Sequence, residues 1–128
     1  MDLLIDTHVL IWWDARIPRL GSQARSLISD RANRILVSAA SVWEIAIKRR
    51  QGRLTFSGSI AETVRANGFE ALPCDLDDAE FAGELAWAHT DPFDRMIVAQ
   101  AQRRTLPLIT ADRAMMAWPS VAMIPAEA

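Results

Sequence analysis

The chain has 128 residues, 51% of them hydrophobic and 23% charged, and a formal net charge of -2. That length suits one domain with a core of its own, and the near-balanced charge excludes binding to nucleic acid through a global positive field. A single cysteine, Cys74, excludes an internal disulfide and a thiolate zinc site and fits a reducing compartment. No apolar run is long enough to span a bilayer, so no membrane partner is expected. Asp2 and Asp6 flank the first apolar run where a signal peptide would carry a basic start and a long apolar core, so the cytoplasm is the expected location.

In chain order, Leu3-Leu4-Ile5 reads as a short buried strand, followed by helices over roughly 7–13 and 22–32, the second capped by Ser22. Residues 34–38 form a second strand, and a helix over about 41–51 ends at Gly52. A shorter helix near 58–67 ends at Gly68, and Phe69–Leu72 is a weaker strand closed by Pro73. Helices over about 77–88 and 92–104 follow, then a strand over 107–110, a short helix over 111–117 and a last strand over 121–124. Strands separated by helices pair in parallel through right-handed crossovers. Continuous apolar strands mean a sheet covered on both faces. The expected fold is an α/β three-layer sandwich, a parallel sheet of about five strands flanked by helices, in one domain over 1–128.

Four acids stand at junctions of these elements. Asp6 ends the first strand and opens a helix; Asp112 does the same after Leu108-Ile109-Thr110. Either is explained by helix capping alone. Glu44 lies three residues after Ser41, the spacing of a capping box, and four before Lys48, the spacing of a surface ion pair. Yet its helix is apolar around most of its circumference, and a carboxylate on so buried a helix needs a partner. Asp94 lies in Asp91-Pro92-Phe93-Asp94-Arg95, where Asp91 suits the cap and Pro92 the first helical position. Asp94 is the favoured ligand and Asp91 the helper, with the reverse order left open. In open parallel sheets, ligands bind beyond the carboxyl ends of the strands, the edge these acids share. Clustered carboxylates repel, and a hard divalent cation, Mg²⁺ or Mn²⁺, resolves the repulsion while leaving room for phosphate. The chemistry this supports is metal-assisted displacement at phosphorus. Thr110 either caps its helix or orients a ligand.

Other features have plainer readings. His8 sits near Asp6 but suits packing, and His89 belongs to the turn before Pro92. Lys48, Arg49 and Arg50, like Arg103 and Arg104, suit solvated helix ends; the alternative is phosphate contact beside the acids. The five tryptophans are read as mostly core, with one or two free to stack on bases or face a partner chain.

Taken together these segments resemble a known family. Leu4-Ile5-Asp6-Thr7-His8-Val9-Leu10-Ile11-Trp12, Ser41-Val42-Trp43-Glu44-Ile45-Ala46-Ile47-Lys48, Asp91-Pro92-Phe93-Asp94-Arg95-Met96-Ile97-Val98-Ala99-Gln100-Ala101 and Leu108-Ile109-Thr110-Ala111-Asp112 resemble, in order and spacing, the four motifs of PIN-domain nucleases. The set is most similar to the VapC toxins of type II toxin–antitoxin systems. The resemblance implies a Mg²⁺- or Mn²⁺-dependent endoribonuclease that leaves a 5′-phosphate and a 3′-hydroxyl. Asp6, Glu44, Asp94 and Asp112 would be its acidic residues, with Thr7 and Thr110 in support; the reading of the residues themselves adds Asp91 as a helper and Lys48, Arg49 and Arg95 as candidates to meet the RNA substrate. It also implies a homodimer neutralised by a VapB-like antitoxin, for which the stretch from Trp43 to Phe56 offers a docking groove.

Two other classes remain. A phospho-acceptor receiver shares the architecture but wants a lysine after its last strand, and Lys48 is the only lysine. A non-catalytic RNA-binding or scaffold module would not need four intact acids.

Overall fold

Leu3, Leu4 and Ile5 are completely buried, because the strand they form has a neighbour on each side and helices on both faces. The computed structural model describes residues 1–127. Its elements are β1 (Asp2–Ile5), α1 (Thr7–Asp14), α2 (Ser22–Ser29), β2 (Arg34–Ser38), α3 (Ala39–Arg50), α4 (Ile60–Ala66), β3 (Glu70–Leu72), α5 (Leu76–Glu84), α6 (Pro92–Arg104), β4 (Leu108–Thr110), α7 (Arg113–Met116) and β5 (Met123–Pro125). The five strands lie in the order β3-β2-β1-β4-β5 and every pairing is parallel. Leu4 is in register with both Leu36 and Leu108.

The strands' period of two sorts their side chains into two cores. Leu3, Ile5, Ile35, Val37 and Ile109 face one side, against Val9 and Leu10 of α1, Ile28 of α2 and Val64 of α4. Leu4, Leu36 and Leu108 face the other, against Ile97, Val98 and Ala101 of α6 and Met115 of α7. This is the expected three-layer α/β arrangement. The chain leaves β1 for β2 on one side and reaches β4 on the other, so the crevice beyond β1 and β4 is a topological switch point. No helix among the described residues is long and apolar enough to cross a membrane.

Several boundaries differ from expectation, each for a local reason. The cap of α3 is Ser38, whose Oγ accepts the Ala40 N–H at 3.1 Å, so the helix starts earlier than position 41. Ser41 is then inside the helix, and the Ser41–Glu44 capping box does not form. A capping box does form at α5, between Asp75 and Asp78. Helix α2 is capped by Gly21 rather than Ser22, and it stops at Ser29 because Asp30 turns the chain by accepting the Ala32 N–H at 2.9 Å. Helix α5 ends at Glu84, short of 88, where Arg95 takes up the carbonyls of Ala82, Gly83 and Leu85. Gly68, at a φ of +74°, closes α4 as expected of a residue free to enter the left-handed region. The last strand is displaced to 123–125; Pro125 is tolerated there because β5 is an edge.

The proposed groove from Trp43 to Phe56 is corrected. Phe56 is packed inside the first core, whereas Trp43 is 63% exposed, with its ring edge-on to Phe93 at 5.2 Å.

Arg103 and Arg104 are not solvated helix ends. Together with Gln100 they hold the fully buried Asp78: Arg103 donates to Oδ1, Arg104 donates at 2.7 and 2.9 Å, and the Gln100 amide donates at 3.2 Å. Burial by itself would raise the Asp78 carboxyl, but the bonds from Arg104, the Asp75 backbone, Gln100 and Arg103 outweigh it and hold it well below the usual range. The bundle ties α5 to α6. Asp78→Ala leaves two arginines facing a buried gap and should lower stability by about 3–5 kcal/mol, read as a drop in thermal midpoint at pH 7. Because the carboxyl is depressed, the wild-type advantage should shrink as pH falls below the ordinary Asp range.

Candidate active site

Asp6 follows β1 directly and caps α1, its Oδ1 accepting the Val9 N–H at 3.1 Å. Its second oxygen, Oδ2, accepts the hydroxyl of Thr110, the last residue of β4. Desolvation pushes the buried Asp6 carboxyl upward, although the bonds from Thr110 and Val9 and the charge of His8 oppose it. The same Thr110 oxygen accepts the Asp112 N–H at 3.0 Å, so one hydroxyl links the ends of two neighbouring strands. Asp112 caps α7 by accepting the Met115 N–H at 3.0 Å. The cap of α7 is therefore Asp112 and not Thr110, whose hydroxyl instead turns the chain ahead of the helix and orients Asp6.

Glu44 is buried in the second turn of α3. Its Oε2 accepts from Lys48 Nζ at 2.5 Å, and its Oε1 is buried with no hydrogen-bond partner. A buried carboxylate oxygen without a donor is costly in a native fold. Thr7 fixes the approach of α3 to α1, donating its hydroxyl to Ser41 Oγ at 3.0 Å.

Asp91 takes the capping position of α6, its Oδ1 accepting the N–H groups of Phe93 and Asp94 at 2.9 and 3.0 Å. Asp94 is left to face the site. Burial raises its carboxyl to about 6; the like charges of Asp91, Asp112 and Glu44 add to the rise, and a 2.7 Å hydrogen bond with His89 Nε2 opposes it. Ligand atoms of His89, Asp94 and Asp112 all lie within 4.8 Å of one another. Asp112 also shares a recess with Asp6, of about 200 Å³. The fold thus gathers the acids of three distant segments around Asp112, with Glu44 in electrostatic reach of Asp94.

His89 joins the set against expectation. Its sequence signal was weak, being one histidine in a turn. What aims it is Arg95, whose five donors are all spent on backbone: Nε on Ala82 O, Nη1 on Trp87 O and His89 O, and Nη2 on Gly83 O and Leu85 O. The assignment of Arg95 to substrate is therefore corrected, since this guanidinium has no donor left for a phosphate. Arg49 likewise donates to the carbonyls of Phe56 and Gly58, at 3.0 and 2.7 Å, and fastens the loop after α3. Lys48 is engaged by Glu44.

Oxygen-rich ligands of like charge, with one buried carboxylate oxygen unpartnered, form a set that could hold a hard divalent cation. The fold is that of a PIN domain, and the PIN domain family matches residues 3–117. The chain belongs to that family, and within it to the VapC type. It is 33% identical over 126 residues to ribonuclease VapC22 of Mycobacterium tuberculosis, covering 87% of each chain. Among solved structures it is similar to VapBC2 of Rickettsia felis bound to a promoter DNA fragment (TM-score 0.67, 14% identity, 98% of each chain covered). It is also similar to the toxin–antitoxin protein VapBC-5 of Mycobacterium tuberculosis (TM-score 0.61, 21% identity, 99% and 98% covered). At these identities the solved structures speak for the fold.

The raised Asp94 carboxyl has a definite signature in the metal-free protein. Its folded value of about 6 lies above the ordinary 3.8, so its contribution is favourable below the ordinary value and is lost as pH rises through 6. Asp94→Asn removes that loss. In EDTA the variant's stability relative to wild type should rise between pH 4 and pH 7, by at most about 3 kcal/mol, as followed by thermal denaturation. A flat difference across that range would contradict the assignment.

Proposed function

We propose that this chain is a metal-dependent endoribonuclease, the toxin of a type II toxin–antitoxin pair, acting as a single PIN domain over 1–128. The observation that carries the reading is the convergence of Asp94, Asp112 and His89 beside a buried Glu44 whose Oε1 lacks any partner. Such a set is stable as a group only with positive charge among its members. Asp6, Glu44, Asp94 and Asp112 would hold Mg²⁺ or Mn²⁺. When bound, the cation supplies Lewis acidity and neutralises charge building on the phosphoryl oxygens.

The chain's own residues do the rest. Thr110 and the start of α1 fix both oxygens of Asp6. His89 and Asp91 hold Asp94 in place, His89 by its ring nitrogen and Asp91 through the Asp94 backbone. Lys48 holds the Oε2 of Glu44 and leaves Oε1 without a partner. Water adds to phosphorus, the P–O3′ bond breaks, and the products are a 5′-phosphate and a 3′-hydroxyl that has taken up a proton. The relationship to VapC22, named a ribonuclease, supports RNA as the substrate. The similarity to VapBC2 and VapBC-5 supports a VapB-like antitoxin as partner.

Asp6→Ala and Asp94→Asn should each abolish cleavage of a labelled RNA in Mg²⁺ or Mn²⁺ and relieve growth inhibition on expression, and EDTA should silence the wild type. Metal-dependent cleavage by a clean Asp94→Asn preparation would refute the site. We further infer a homodimer, supported by the exposed Trp43 beside Phe93 and Met96 at an apolar recess of about 370 Å³. Trp43→Glu should shift the protein from dimer to monomer in sedimentation; a wild-type monomer, or a dimer unaffected by the change, counts against this interface.

A further inference from the structure

The recess shared by Asp6 and Asp112 has His8, Trp12, Arg19 and Glu127 among its other walls. RNA reaching the acids would bring phosphates with it, into a site already rich in negative charge. Arg95 has no free donor, Lys48 is held by Glu44, and Arg49 fastens a loop. Among the residues that line this recess, Arg19 is the only arginine or lysine.

We propose that Arg19 binds a backbone phosphate of the RNA next to the scissile one, and that Glu127 occupies Arg19 until the RNA arrives. The proposal rests on the nuclease reading and gives its substrate a second point of attachment. Arg19 lies over the Trp12 ring, its guanidinium carbon 4.9 Å from the centroid, which fixes the plane of the fork. Nη2 donates to Glu127 Oε1 at 3.1 Å. Both side chains are exposed, 63% and 42%, so the pair contributes little to the fold and exchanges readily. Glu127 is nonetheless held in place by backbone. Leu20, beside Arg19, bridges to Glu127; the Gly21 N–H donates to Ala126 O at 2.8 Å, and the Ala126 N–H donates to Thr110 O at 2.9 Å. A carboxylate is thereby fastened beside the fork, presenting the oxygens that a phosphate would present. A nucleobase fits the recess less well, because Trp12 is buried and Arg19 already covers its ring.

The test measures binding of a short fluorescein-labelled single-stranded oligoribonucleotide by anisotropy, in Mg²⁺, in the Asp94→Asn background, over a range of salt. Arg19→Ala should weaken binding on the order of three- to tenfold and make the logarithmic salt slope shallower by about 0.7, the value for one lost single-strand contact. Arg19→Lys should restore part of both. Glu127→Gln should tighten binding about twofold, a change opposite in sign to the loss a merely structural pair would show. Unchanged affinity and slope in Arg19→Ala, or weakening in Glu127→Gln, would overturn the proposal. Wild-type RNA cleavage is measured alongside: its absence would count against the nuclease reading, and the binding comparison still decides the role of Arg19.

Discussion

The hydroxyl of Thr110 joins the ends of β1 and β4, donating to Asp6 and accepting from the backbone of Asp112. The acidic site depends on this link, because Asp6 and Asp112 are 106 positions apart in number and meet only where these two strands pair. The pairing in turn requires the continuously apolar β1 to be central, with β2 on one side and β4 on the other. Parallel pairing then puts the carboxyl ends of β1, β2 and β4 on one edge. Helix α3 starts at once from Ser38, the last residue of β2, so Glu44, in its second turn, stays close to that edge.

Two acidic clusters in this chain show opposite electrostatic solutions. Asp78 is fully buried but saturated by donors from Arg103, Arg104 and Gln100, and its carboxyl is held low. Such a group is structural: its charge is matched inside the protein. Asp94 is less buried, yet burial raises its carboxyl, and its acidic neighbours Asp91, Asp112 and Glu44 raise it further. Its one side-chain partner, His89, does not offset that rise, and the Oε1 of Glu44 has no partner. The difference separates a cluster that completes a fold from one that awaits something positive. Arg95 stands on the structural side as well, since it organises the turn that delivers His89.

Much of the architecture was legible along the chain. The short apolar strands, the glycines after α3 and α4, and Asp91-Pro92 at the start of α6 follow from local chemistry, and the structure agrees with them. The start of α3 shows what was not legible. Ser41 and Ser38 have the same capping chemistry, and the choice between them depends on where β2 ends, which its pairing to β1 and β3 decides. The fate of Phe56 likewise depends on the core beneath its loop, and that of Arg103 and Arg104 on Asp78 arriving from another helix.

The sequence by itself determined the α/β class and the parallel sheet, because these follow from apolar periodicity, and it marked four acids at or near the junctions of the elements as candidates. The tertiary structure decided which polar groups meet. Only there does His89 reach Asp94, does Thr110 span two strands, and does Arg19 stand over Trp12 beside the acids. The physical reason is range. Caps and turns depend on a few neighbouring residues, whereas hydrogen bonds and ion pairs act over a few ångströms between segments that only the packed sheet and helices bring together.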